Sequence, residues 1–288
     1  MISEPPASSN ILVRVWRRIP VVVRAILTGL LVSSLGIIPW SVFLGLNLRY
    51  PLGLPLPWAV PATAGWLAVY WRYVSGRGWP AAMAEARRRG LRARRLPVRA
   101  WGWSLLTGVL GLLSCLGFAL ALRRLVVLPL EPFMDVSPYS WTTIVLLLLM
   151  AAMVAGVSEE AGFRGYMQGM IERRHGPVAA ILVTGLMFGL VHANHGYWEP
   201  ILLPGFVAIS TVFGAIAWRA GSIRPTVVLH TTMDTGGFLW LWRYGTPPQP
   251  PLAWQPGGAS PFWLCLLAFL LFGGTAVWAW RRILRPQP

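Results

Sequence analysis

The chain is predicted to be all-α, a polytopic transmembrane helical bundle of about eight membrane spans. Three observations predict this. Of 288 residues, 56% are hydrophobic and only 12% are charged, against about 25% charged in an ordinary soluble domain. The apolar residues gather into separate runs, each near the roughly 20 residues needed to cross the hydrocarbon core. Arginines cluster at the ends of those runs, the arrangement that holds loops on the cytoplasmic side. Together these exclude a soluble enzyme, a disordered tail and a nucleic-acid-binding domain. The net charge of +16 does not alter this, because a nucleic-acid footprint places basic residues along one face. All 25 basic residues are arginine.

The runs fall at 20–46, 53–74, 101–122, 139–160, 177–195, 200–218, 224–242 and 261–280. The first begins near Ile19 and extends to Leu48, too long for the apolar part of a cleavable signal. The second holds Pro55, Pro57 and Pro61, so an irregular start is expected there. The third is interrupted by Arg123 and Arg124. A turn at Arg174–Pro177 separates the fourth from the fifth, and one at 219–223 separates the sixth from the seventh. Cys115 and Cys265 lie inside apolar runs, where cysteine behaves as a small hydrophobe. A disulfide framework or cysteine-based zinc site is not expected.

Arginine placement sets the orientation. Arg14 to Arg24, the eight arginines from Arg77 to Arg99, Arg173–Arg174, Arg219 with Arg224, and Arg281 to Arg285 all fall on one side of an eight-span chain. That side is read as the cytoplasm, with both termini there, and the membrane as a bacterial inner membrane. The opposite loops hold Arg49, Glu131, Asp135 and Glu199, with Arg123, Arg124 and Arg243 as exceptions. The segment Pro80–Arg99 reads as a headgroup-facing loop or a basic interfacial helix. Three units are expected: N-terminal spans with their basic loop (1–138), a core (139–243), and the last span with a basic tail (244–288).

Carboxylates and histidines inside spans are costly and mark function by default. Only nine acidic residues and four histidines occur, and three clusters of them fall in spans. In the first, Ser158 to Gly165, Glu160 and Arg164 are four apart on one helix face, with the glutamate in the favourable N-terminal position. Glu159 points about 100° away from Glu160 and has no local cation, which leaves it as a candidate general base. The second places His192 one turn beyond Phe188, with His195 at the outer water interface. The third puts His230 and Asp234 on one face, where Asp234 can orient His230. Each cluster alone also admits a structural role: an ion pair, a satisfied core histidine, a helix-packing pair.

Hairpin arithmetic links the first two. Glu159 lies about 16 residues before the Arg174–Pro177 turn and His192 about 16 after it, so antiparallel neighbours hold both roughly 24 Å from the turn. His230 lies only about 8 residues past its own turn, roughly 12 Å. The depths agree if the first hairpin projects further or the helices tilt.

The three clusters, in this order, resemble the CPBP family of intramembrane proteases, which includes the type II CAAX prenyl endopeptidases and bacteriocin-linked Abi-like relatives. The pattern is Glu-Glu-x-x-x-Arg, Phe-x-x-x-His, then His-x-x-x-Asn or a close variant. Its counterparts are Glu159-Glu160 with Arg164, Phe188 with His192, and His230 with Asp234, across about residues 139–243. The resemblance implies a glutamate-type hydrolase. Glu159 and His192 would activate a water, His230 and Asp234 would stabilise the oxyanion, and Glu160, Arg164 and Phe188 would support the site. Asp234 departs from the usual asparagine. An ionised carboxylate cannot donate to an oxyanion, so Asp234 is either protonated or only orients His230.

No cofactor is expected. Zinc is the alternative, because Glu159, His192, His230 and Asp234 are all zinc-ligand types, although no His-Glu-x-x-His motif is present. The expected partners are the lipid bilayer and a peptide or membrane-protein substrate, either prenylated and CAAX-like or a leader peptide, with no nucleic acid. The all-arginine, tryptophan-rich composition suggests GC-rich bacterial coding, where a leader peptide is the more natural substrate. Two other classes stand beside the protease: a non-catalytic immunity or scaffold protein of the same fold, and a transporter, which repeat symmetry would have marked.

Overall fold

A computed structural model describes residues 11–50, 57–127, 139–192 and 203–283. Among them the fold is all-helical, with no strand. The helices are α1 (Ile11–Arg18), α2 (Val21–Arg49), α3 (Ala59–Arg72), α4 (Ala84–Leu91), α5 (Val98–Leu122), α6 (Trp141–Glu159), α7 (Gln168–His192), α8 (Leu203–Ala220), α9 (Arg224–Tyr244) and α10 (Ala259–Arg282). A π-helical segment, Glu160–Met167, joins α6 to α7. The expected turn in the Arg174–Pro177 stretch falls at Gly176, whose φ of 79° reverses the rod at a conformation only glycine adopts freely. His195 and the acidic residues Glu131, Asp135 and Glu199 lie outside the described residues.

Helix therefore forms in each of the eight apolar runs. Among the described residues five continuous helical stretches are long and apolar enough to cross a membrane, one of them the α6–π–α7 hairpin that folds back at Gly176. α3, with 14 residues, falls short of a full span. α9 is long enough with 21 residues, but its polar residues, His230 and Asp234 among them, lower its apolarity. Large apolar side chains such as Leu31, Ile38, Leu264 and Leu271 project outward, as expected where the solvent is lipid. The protein is an integral membrane protein.

Small residues set how closely the helices meet around the polar clusters. A methyl group on Gly162 would lie 2.5 Å from the carbonyl oxygen of Gly29 and 3.0 Å from the nitrogen of Ser33, so α2 packs directly on the π segment. A methyl group on Gly156 would strike the Thr231 hydroxyl and lie 2.9 Å from the Thr231 nitrogen. α9 therefore rides against α6 one residue past His230. α8 is tied to the end of the π segment by the buried Gln168, whose Nε2 donates to the carbonyl of Gly214 at 2.9 Å.

The arginine-rich segments are joined to one another. Arg92 bridges to Glu172, the backbone nitrogen of Ile223 donates to the carbonyl of Arg92, and Arg219 donates to the carbonyls of Ile283 and Arg281. Four of the five segments read from the sequence thus gather at one end of the bundle. Two of the three exceptions have their own role: Arg123 and Arg124 donate to the carbonyls of Pro247, Pro248 and Pro251, pinning the proline-rich segment before α10.

Candidate active site

Residues 158–165 read from the sequence as ordinary α-helix. The wider π turn brings Arg164 back over Glu160 all the same, with Nη1 at 2.9 Å from Oε1. Both side chains are fully buried. A buried guanidinium needs more than one carboxylate to offset its lost hydration. Here aromatic rings supply the rest: the Arg164 carbon Cζ lies 4.4 Å from the Phe188 ring centre, 5.4 Å from Phe213 and 6.0 Å from Phe163. The face of an aromatic ring attracts a cation, the more so when both are desolvated.

His230 reaches this pair from α9. Its Nδ1 lies 2.9 Å from Oε1 of Glu160, so one carboxylate oxygen faces both Arg164 and His230. The other ring nitrogen, Nε2, lies 3.4 Å from Oδ2 of Asp234 and 3.8 Å from Oε2 of Glu159. If Nδ1–H donates to Glu160, Nε2 is a donor only in the imidazolium form. His230 is almost fully buried, with 3% of its side chain exposed.

His192 arrives from the far half of the hairpin. Its Nδ1 lies 2.7 Å from the carbonyl of Phe188. A carbonyl only accepts, which makes Nδ1 the donor and leaves Nε2 as the acceptor of the neutral ring. Nε2 lies 3.9 Å from Oε2 of Glu159, so the equal depth expected from hairpin arithmetic is found. The ring is held between Phe188, at 4.3 Å, and Phe206, stacked at 4.7 Å. Phe188 is therefore a hub: it faces Arg164 and His192, and Phe163 meets it edge-on at 5.3 Å.

The structure thus brings together all seven expected site residues, Phe188 as the hub and the other six in two tiers. Glu160, Arg164 and His230 form a buried tier. Glu159, His192 and Asp234 keep 13%, 20% and 16% of their side chains accessible. Oε2 of Glu159 accepts no direct hydrogen bond from the described residues, yet two imidazole nitrogens converge on it. The sequence reading missed Phe206, Phe213 and Gln168. Each is an ordinary residue of a span or its approach, and only knowledge of which helix face turns inward would have found them.

A tetrahedral zinc site with bonds of about 2.0–2.2 Å would hold its donors roughly 3.3–3.6 Å apart. Glu159 stands wider than this from both histidines. Among the described residues no group of three or more His, Cys, Asp or Glu is spaced to hold a metal ion.

Residues 141–236 match the family model of type II CAAX prenyl endopeptidase Rce1-like proteins. No curated protein and no solved structure matches the chain. The matched segment contains every residue of the two tiers.

Proposed function

We propose, from the Rce1-like character of residues 141–236 and the geometry at Glu159, that the chain is an intramembrane endopeptidase of glutamate type. It hydrolyses a peptide bond near the cytoplasmic face of a bacterial inner membrane. The observation that carries this is the convergence of His192 and His230 on Oε2 of Glu159. Hydrolysis without a nucleophilic side chain needs a positioned water, a base and a donor at the developing oxyanion. Oε2 of Glu159 and Nε2 of His192 are both acceptors, 3.9 Å apart, a gap one water spans with two hydrogen bonds of about 2.8 Å. Both protons of that water are then held, and a lone pair is left for the carbonyl carbon. Glu159 takes one proton as the water attacks and delivers it to the leaving amine. His230, as imidazolium, donates from Nε2 to the oxyanion, with Glu160 fixing its ring from behind. Asp234, 3.4 Å from the same nitrogen, orients the ring and balances its charge. No step here passes through a metal.

The test is cleavage of quenched fluorescent peptides by the purified full-length protein, with prenylated CAAX and leader-type sequences side by side. Glu159→Gln and His192→Ala are each expected to lose about a thousandfold in rate while keeping the wild-type melting temperature. Wild-type cleavage should be indifferent to a chelator. Cleavage abolished by chelator and restored by zinc would replace this mechanism with a metalloprotease using the same side chains. Full activity of Glu159→Gln would remove the glutamate mechanism altogether.

A further inference from the structure

A second concave feature lies roughly 20 Å from Glu159 along the α6–π–α7 rod. It is a cavity of about 720 Å³ at the end of the bundle where the arginine-rich segments meet. Its walls carry Arg77 beyond α3, Arg88 and Arg89 from α4, Arg94 from the connector before α5, Arg173 from α7 and Arg224 from the start of α9. A seventh arginine, Arg92, lines it too and is engaged bidentately by Glu172, at 2.9 and 3.3 Å. Glu172 is the sole carboxylate among the lining residues, while Arg88 and Arg89, both largely exposed, are engaged by Glu85 of α4 just outside them.

The wall formed by Arg92, Arg94 and Arg224 is built into the fold, while Arg88 and Arg89 stand at its exposed edge. The connector is stapled to the α8–α9 turn by four hydrogen bonds: Ile223 N to the Arg92 carbonyl, Arg94 to the Ala220 carbonyl, Ser222 Oγ to the Arg94 carbonyl, and Arg224 Nε to the Ala93 carbonyl. Arg92 holds a left-handed backbone, φ 56°, which a non-glycine residue adopts at a cost and which directs its side chain to Glu172. Crowding shows in Arg94, whose guanidinium holds its proton less tightly than usual through burial and the neighbouring Arg92. Like charges gathered on one cavity wall repel one another, and an entering anion relieves that repulsion. Trp79 and Val98, close in the chain to the lining arginines, are 87% and 88% exposed, and exposed apolar side chains near arginines suit a membrane interface.

We propose that this cavity binds the phosphate group of an anionic phospholipid headgroup, clamping the 77–99 segment to the hairpin that carries the candidate active site. Basic pockets between helices at the cytoplasmic face are suited to such headgroups. The inference rests on the arginine walls and not on the catalytic reading.

The test uses full-length protein in neutral detergent. Its melting temperature is followed against added phosphatidylglycerol, phosphatidylcholine or inorganic phosphate at matched ionic strength. Phosphatidylglycerol is expected to raise it and phosphatidylcholine to leave it unchanged. The rim variant Arg77→Gln/Arg173→Gln should need about tenfold more phosphatidylglycerol for half the effect. Arg281→Gln/Arg282→Gln, which removes the same charge elsewhere, should respond as wild type. Inorganic phosphate protecting as well as the lipid would keep the site and assign it to a soluble phosphate compound. No response to either phosphate source, or an unchanged response of the rim variant, would overturn the proposal. The melting temperature of each variant without lipid verifies that it folds.

Discussion

The chain contains the spacing Glu-x-x-x-Arg at both Glu85–Arg89 and Glu160–Arg164, and both pairs close, at 2.8 and 2.9 Å. On α4 the pair lies in the open, with 75% of Arg89 and 53% of Glu85 accessible, and Arg88 shares the same glutamate. In the π segment the pair has no exposure at all and is boxed by Phe163, Phe188 and Phe213. Identical spacing thus predicts contact in both places but says nothing about its worth. Water and salt weaken the first to a minor contribution. Losing one partner of the second leaves a charge short in a dry core, Glu160 with His230 alone or Arg164 with aromatic rings.

The largest effect that sharpens this contrast is at Arg164. Arg164→Met should destabilise the protein by about 3–5 kcal/mol, because Glu160 keeps its charge without its guanidinium. Glu160→Gln added to it should recover part of that loss in chemical unfolding from detergent. If the single change is as mild as Arg89→Met, the contrast is broken.

Next is the helix approach that the buried tier depends on. Gly156→Ala forces a methyl group against Thr231, and overpacking of this kind costs about 1–3 kcal/mol. Because it pushes α9 and His230 outward, peptidase rate should fall together with melting temperature. An unchanged rate would show that the spacing of α6 and α9 does not set the site.

Asp234→Asn addresses charge alone. If Asp234 balances an imidazolium at His230, the variant should lose about tenfold in rate. If instead a protonated Asp234 donates to the oxyanion, asparagine donates equally well and the rate holds.

The smallest effect belongs to the exposed pair. Hydrogen bonds from Arg88 and then Arg89 hold the Glu85 carboxyl below its ordinary value of 4.5. A lowered folded-state value means the stabilisation is complete above the unfolded-state value and is lost as pH falls through the folded one. Melting temperature of wild type minus that of Glu85→Gln should therefore shrink between pH 6 and pH 3. A difference flat across that range would show the pair contributes nothing.

Much of the site was legible. Glu160 with Arg164 follows from helical spacing, and the equal depth of Glu159 and His192 from counting residues to a turn. Both are local quantities. His230 meeting Glu160 was not legible, because its depth depends on how far one hairpin projects past another, and that is set by contacts such as Arg92 with Glu172 and Ile223. Phe206 and Phe213 were hidden for a different reason: in a uniformly apolar span no periodicity distinguishes the inward face from the lipid face. The eight apolar runs were readable as helices, whereas the π turn carries no compositional mark. The basic loop was visible as a charge run, but its closure by Arg173 and Arg224 into a cavity arises only in the folded bundle.

The contact between Glu160 and Arg164 spans a single turn of one rod, so it needs no other helix in order to form. During biosynthesis this stretch emerges long before α9 does. A lone guanidinium or carboxylate passing into the hydrocarbon layer at that stage would resist partitioning from the translocation channel. Paired within the turn, the two enter as a locally neutral unit. The pair thus eases the entry of the segment, leaving Glu159 as the carboxylate that waits for later helices, and His230, synthesised 70 residues after Glu160, docks onto a charge pair already in place.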